Sequence, residues 1–146
     1  MRIAVGSDHA GFALKEHVRA TLAAQGHELV DVGTHTAESV DYPGFAADAA
    51  RLVAAGDADR AVLACGSGNG VAIVANKVPG IRAVNAHDAQ EAEMARRHND
   101  INVVTLSGAQ LGPDEAGAIV AAFLATDAEG GRHARRVAQI GELERD

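Results

Sequence analysis

The chain predicts an α/β fold: a single doubly wound, five-stranded parallel sheet with helices on both faces and one more helix at its C-terminal end. Three observations lead there. Short apolar runs alternate with longer amphipathic ones along all 146 residues. No linker, repeat or low-complexity stretch breaks that alternation, so one domain spans 1–146. The best-defined apolar run, Ala61 to Ala64, has no polar alternation, as expected of a strand buried on both faces.

Ile3 to Gly6 reads as the first strand. Leu14, Val18 and Leu22 then recur at i, i+4 and i+8 of a helix, and Gly26 stands where a C′ glycine would end it. Glu28 to Val32 is the second strand, followed by a loop from Gly33 to Tyr42. Pro43 suits a first helical position, with Phe45, Ala49, Leu52 and Val53 on one face and Gly56 beyond the end. Ala61 to Ala64 is the third strand; a glycine-rich turn follows, and Val71 to Ala75 opens a helix. Ile81 to Val84 is a short fourth strand. Asp88 and Glu91 have the spacing of a capping box for a helix reaching Arg97. Asn102 to Leu106 is the fifth strand. Pro113 starts a helix carrying Ile119, Val120, Phe123 and Leu124, and the last helix runs from Arg132 to Leu143. In such a sheet ligands sit beyond the carboxyl ends of the strands. Asp8 and His9, Tyr42, and Cys65 to Gly70 all fall there.

Charge narrows the function. Asp and Glu number 20 against 13 Lys and Arg, a net charge of −7. That argues against nucleic-acid binding and against adhesion to anionic membranes. The longest uncharged run, Ala61 to Asn76, carries Gly, Ser and Asn, so no membrane span is expected. The first residues show no basic segment followed by a long apolar one, so no secretory signal is expected. The single cysteine can form no internal disulfide and suits a reducing cytoplasm. With no Trp, one Tyr and three Phe, alanine and valine must fill much of the core. Such side chains bury little area each, so further burial at a subunit interface is expected.

The lone cysteine opens Cys65-Gly66-Ser67-Gly68-Asn69-Gly70. A strand, a glycine turn and a helix start bring backbone N–H groups together, where they bind phosphate or stabilise an oxyanion. A thiol at that entrance has its thiolate favoured. The plainer reading is a small buried hydrophobe beside a tight turn. Nucleotide fingerprints do not fit, because Val71 stands where G-x-G-x-x-G needs glycine and where a P-loop needs lysine. A G-x-S-x-G elbow is absent, and the seven histidines show no spaced metal set. Asp8 beside His9 offers an acid and an imidazole, or simply a helix cap. His98-Asn99-Asp100 closes a helix, where a histidine also complements the dipole. Arg132 and Arg136 stack one turn apart at a helix start, unfavourable by both repulsion and dipole unless an anion is present. The plain alternative is a solvated basic face.

These segments resemble the ribose-5-phosphate isomerase B family, which includes the galactose-6-phosphate isomerase subunits. The resemblance rests on Gly6-Ser7-Asp8-His9-Ala10-Gly11-Phe12, Asp31-Val32-Gly33-Thr34, Asp41-Tyr42-Pro43, Cys65 to Gly70, Ala75-Asn76-Lys77, Gly80-Ile81-Arg82-Ala83, His98-Asn99-Asp100 and Gly131-Arg132-His133, in order from residue 3 to about residue 140. It implies a Rossmann-like doubly wound fold and an aldose–ketose isomerase of sugar phosphates with no metal and no cofactor. It also implies a homodimer, or a tetramer built from one, with active sites at the subunit interface.

By the same resemblance Cys65 is the base, since Val71 occupies the position where other members carry a glutamate base. His98 and Asp8 would serve ring opening and hydroxyl proton transfer. Ser67 and the Gly66, Gly68, Asn69 and Gly70 amides would hold the developing oxyanion. His9, Arg132 and Arg136 would face the phosphate, with Tyr42 and Asn99 also lining the substrate and some residues coming from the second chain. One departure stands out. In the turn after the fifth strand, family members that bind sugar phosphates usually carry an arginine where this chain has Ala109. That keeps a tetrose or hexose phosphate, or an unphosphorylated sugar, in view beside ribose 5-phosphate. A non-catalytic sugar-phosphate-binding module is the reading from another class.

Overall fold

The five strands β1 (Arg2–Ser7), β2 (Glu28–Gly33), β3 (Arg60–Cys65), β4 (Ala83–Asn85) and β5 (Val103–Ser107) are all parallel and lie side by side in the order β2-β1-β3-β5-β4. The structure is a computed structural model and describes residues 1–145. Six helices connect and flank the strands: α1 (Phe12–Ala24), α2 (Tyr42–Ala54), α3 (Asn69–Ala75), α4 (Ala89–Asn99), α5 (Pro113–Ala125) and α6 (Arg132–Leu143). The predicted doubly wound sheet is therefore present.

Strand parity sorts the core into two layers, because successive side chains point to opposite faces. Ile3, Val5, Val62, Ala64, Val104 and Leu106 meet α1, α4 and α5 through Leu14, Val18, Leu22, Ala95, Ile119 and Phe123. Ala4, Ala61, Leu63, Cys65 and Val103 face α2 and α3 through Ala46, Ala49, Ala50, Val71 and Ala75. The helix after β5 was expected to bury Ile119, Val120, Phe123 and Leu124; the first three are buried and Leu124 packs at the margin. Gly26 takes φ +90°, with its amide on Ala23 O and the His27 amide on Leu22 O. This closes α1 in the left-handed turn that glycine permits.

Several local expectations need correction. In α2 the buried face is Ala46, Ala49 and Ala50, while Phe45, Leu52 and Val53 are only half-buried. The methyl face lies on the sheet and the larger side chains fill the flanks, where Leu52 and Val53 pack against the same cluster. Helix α2 begins at Tyr42, so Pro43 is its second residue. Strand β4 starts at Ala83 rather than Ile81, since the side chains of Asn102 and Asn76 take the Arg82 and Ala83 amides. Asp88 does cap α4 by accepting from the Glu91 amide, but Glu91 bonds back to the His87 amide rather than to Asp88. No helix among the described residues is long and apolar enough to cross a membrane.

Candidate active site

The carboxyl ends of β1 and β3 carry one group of the expected residues. Asp8 follows β1, is 6% exposed, and accepts the Gly11 amide at 3.0 Å, so it also secures the entry to α1. His9 is exposed, and its Nδ1 accepts the Val40 amide at 3.1 Å. The neutral ring therefore carries its proton on Nε2, which is left to face solvent or ligand. Cys65 ends β3. It is 4% exposed and sits at the rim of the α2–α3 core layer, which is what a plain buried hydrophobe would do. Yet its Sγ also accepts the Gly68 amide at 3.2 Å, so the sulfur lies inside the glycine turn. Ser67 Oγ accepts the Asn69 amide at 3.1 Å, and both side chains are exposed. The Tyr42 ring lies against Gly70: a Cβ there would stand 2.5 Å from Tyr42 Cζ, so only glycine permits this approach. Asp8, His9, Tyr42, Cys65, Gly66, Ser67, Gly68, Asn69 and Gly70 thus gather at one end of the sheet.

His98, Asn99, Arg132 and Arg136 are not brought there. Helix α4 returns antiparallel to the strands and ends beside the start of β5. Cys65 pairs with Ser107, whereas the start of β5, Val103, pairs with Ala61. The two ends are separated by about 13 Å of strand. Helix α6 packs on α4, and Glu129 before it donates its amide to Arg97 O at 2.9 Å. This places the His98 and His133 rings in a parallel stack, 4.1 Å between centroids and 8° between planes. Arg132 and Arg136 are exposed beside the stack and, among the described residues, meet no carboxylate. Exposed and unpaired among those residues, they are also what the solvated basic face read from the sequence would show.

His98, Glu129 and His133 form a group that sequence spacing does not reveal, with each Nε2 3.9 Å from a Glu129 oxygen. It does not suit a metal ion as it stands. Imidazole binds metal in its ring plane, and two stacked parallel rings aim their lone pairs side by side rather than at one point. Its electrostatics are nevertheless distinctive. Burial holds the His133 pKa below the ordinary 6.5; the neighbouring His98 and Arg132 push the same way, and Glu129 opposes. An unfolded chain takes up that proton near 6.5 while the folded one resists it, so stability should decline as pH falls from about 7 toward 5. His133→Leu should flatten this decline in thermal melts. Glu129, held below its usual range first by its bond to Arg97, loses its contribution only below the carboxylate value of 4.5, so the two effects separate.

With this geometry in place, comparison with known proteins is decisive. A family model described as Ribose/Galactose Isomerase matches residues 3–140. The chain belongs to that family. The isomerase is 43% identical over 143 residues to ribose-5-phosphate isomerase B of Escherichia coli (strain K12), covering 98% of this chain and 96% of that one. It is 38% identical over 145 residues to the D-erythrulose-4-phosphate isomerase of Pectobacterium atrosepticum, covering 99% and 95%. The solved structure of Clostridium thermocellum ribose-5-phosphate isomerase B matches with a TM-score of 0.98 at 46% identity, over 99% of this chain and 98% of that one.

Two expectations drawn from the resemblance can be located in the isomerase. Val71 is fully buried in α3, an apolar side chain with no proton to exchange. Ala109 lies in the turn beyond β5, with its amide on Gly66 O at 3.1 Å, directly beside the cysteine loop. Sequence reading gave no role to Glu129 and His133, nor to Asn85, Thr105 and Ser107, which bond the loop from beneath. The last two carried a usable signal: they are the only polar residues of the strand Val103–Ser107. Glu129 carried none, being 31 positions from His98 in an unpatterned stretch.

Proposed function

We propose that the isomerase interconverts a phosphorylated aldose and its ketose, with ribose 5-phosphate and ribulose 5-phosphate as the first pair, through a cis-enediolate, with Cys65 as base and without a metal. The observation that carries this reading is the Cys65 sulfur within the glycine turn at the sheet's carboxyl end, bonded to the Gly68 amide. A hydrogen on a carbon beside a carbonyl is removed only if a base touches it and donors await the oxygen that gains charge. Cys65 thiolate takes the hydrogen from carbon two. The electron pair forms the carbon–carbon double bond of the enediolate, and the charge moves onto the carbonyl oxygen. Ser67 Oγ and the amides of Gly66, Gly68, Asn69 and Gly70 receive that oxygen. The thiol then returns the proton to carbon one, while Asp8 moves the hydroxyl proton between the two oxygens. His98 opens the sugar ring, since imidazole exchanges protons near neutral pH. Asn99 and Tyr42 line the sugar. His9, Arg132 and Arg136 take the phosphate and hold the reacting end in register.

These roles need both ends of the sheet, so the working unit is a homodimer in which His98, Asn99, Arg132 and Arg136 of one chain complete the Cys65 end of the other. Ile73, Ile140 and Leu143 are 60%, 42% and 72% exposed, apolar side chains that such an interface would cover. A catalytic thiol also suits a reducing cytoplasm.

A second substrate is favoured by two observations. Ala109 lies beside the loop and lacks a guanidinium, and one relative carries the name of a tetrose-phosphate enzyme. The deciding experiment is kcat/KM over pentose, tetrose and hexose phosphates and free ribose, with purified protein in chelator. Ribose 5-phosphate should lead, and free ribose should fall at least about a hundredfold behind for want of charge-assisted contacts. A tetrose phosphate in the lead would transfer the assignment. Turnover that needs added metal would remove the thiol mechanism. Neither turnover nor solvent-deuterium incorporation into any sugar phosphate would leave a binding module.

A further inference from the structure

We propose that Thr105, Ser107 and Asn85 are positioning residues that aim the peptide units of the cysteine loop at the reacting oxygen; this rests on the loop being the isomerisation site.

Strand β5 reads Val103-Val104-Thr105-Leu106-Ser107, and every residue in it is buried, with Thr105 at 0% and Ser107 at 2% exposure. Placing two hydroxyls in such a strand costs free energy unless each finds a partner. Parity puts them on the same face. Both find loop carbonyls: Ser107 Oγ donates to Gly66 O at 2.7 Å, and Thr105 Oγ to Gly68 O at 2.8 Å. The carbonyl between them is also taken, since Asn85 Nδ2 at the end of β4 donates to Ser67 O at 3.1 Å and to Asn69 Oδ1 at 2.9 Å. Ser107 Oγ is itself held by the Gln110 amide at 3.1 Å, and Asn85 Oδ1 lies 3.2 Å from Thr105 Oγ, sharing the single hydroxyl proton that goes mainly to Gly68 O.

Three consecutive carbonyls are therefore tied down toward β4 and β5. In a trans peptide the N–H points opposite to the C=O. The amides of Ser67, Gly68 and Asn69 are thereby turned away from the sheet, to the side where the sulfur and the serine hydroxyl lie. The Gly68 amide reaches Cys65 Sγ at 3.2 Å and the Asn69 amide reaches Ser67 Oγ at 3.1 Å, as that orientation requires. A glycine-rich turn has little conformational preference of its own. The hydroxyls and the carboxamide supply the missing preference, so the peptide units already face the reacting side when the enediolate forms.

The test is steady-state kinetics on Thr105→Val, Ser107→Ala, their double variant and Thr105→Ser, with thermal melts for each. Thr105→Val keeps the shape and removes the bond. Its kcat should fall about tenfold and that of the double variant about a hundredfold, with KM within about twofold, because substrate binding does not depend on the oxyanion donors. Thr105→Ser should restore kcat. With substrate deuterated at the carbon that loses its proton, the isotope effect should rise in the valine variant as proton abstraction becomes limiting. Should the double variant fail to fold, the same readings on Thr105→Val alone decide. Wild-type kcat in the variants, an unchanged isotope effect, a change confined to KM, or no rescue by serine would each overturn the proposal. Cys65→Ala keeps the failures apart: if it is active, the site reading itself falls, and if it is inactive while Thr105→Val is normal, only the positioning role falls.

Discussion

Cys65→Ala should lose isomerase activity, with kcat down by about 10²–10⁴ or more and sugar-phosphate affinity nearly intact. In the mechanism proposed above, the Cys65 sulfur at the end of β3 is the group that takes the hydrogen from the substrate carbon. Val71 one turn on is apolar and fully buried. Ser67 Oγ lies across the same turn, but an alcohol is too weak an acid to stand as a base unaided. Cys65→Ser is the sharper variant: it keeps a hydrogen-bond acceptor near the Gly68 amide and still should be inactive. The fold should tolerate both: Ala gives up one hydrogen bond, about 1 kcal/mol, and the small volume of the sulfur, while Ser keeps the acceptor. Isothermal binding of a sugar phosphate alongside turnover measures the split. Turnover near wild type in either variant would exclude the thiol as base.

The second large effect concerns His98. Alone, Cys65→Ala and His98→Asn chains should each be at least about a hundredfold down. Co-expressed and exchanged into mixed dimers, they should recover about one quarter of wild-type activity, since half the dimers are mixed and one of their two sites is intact. The expectation follows from α4 ending at the opposite end of the sheet from Cys65, a distance one chain does not close. A mixture no more active than its parents would show that no site is shared between chains.

Much of this was legible beforehand, and what was not has physical causes. Cys65 to Gly70, Asp8 with His9, and Tyr42 were placed by one rule, that parallel strands deliver ligand sites at their carboxyl ends. The limits of α6 were readable because Gly131 precedes it and its basic start is sharply marked. The face of α2 was misread because large apolar side chains dominate a sequence pattern, whereas close packing on a sheet rewards the smallest ones. The separation of His98 and the arginines from the cysteine is set by the direction in which α4 runs: a helix returning between parallel strands ends near their amino ends, away from Cys65. The group formed by Glu129, His98 and His133 depends on how α6 folds back over α4, and such a long-range contact leaves no local trace.

The alanine seam between α2 and the sheet reaches further than its size suggests. Ala46, Ala49 and Ala50 meet Ala4 and Ala61 with methyl groups alone, and the same helix begins with the tyrosine that rests on Gly70. Any thickening of that seam lifts the helix and carries the Tyr42 ring off Gly70. Drift in a hidden, chemically inert layer is therefore felt at the glycine loop, and under the function proposed above it should show as altered sugar handling.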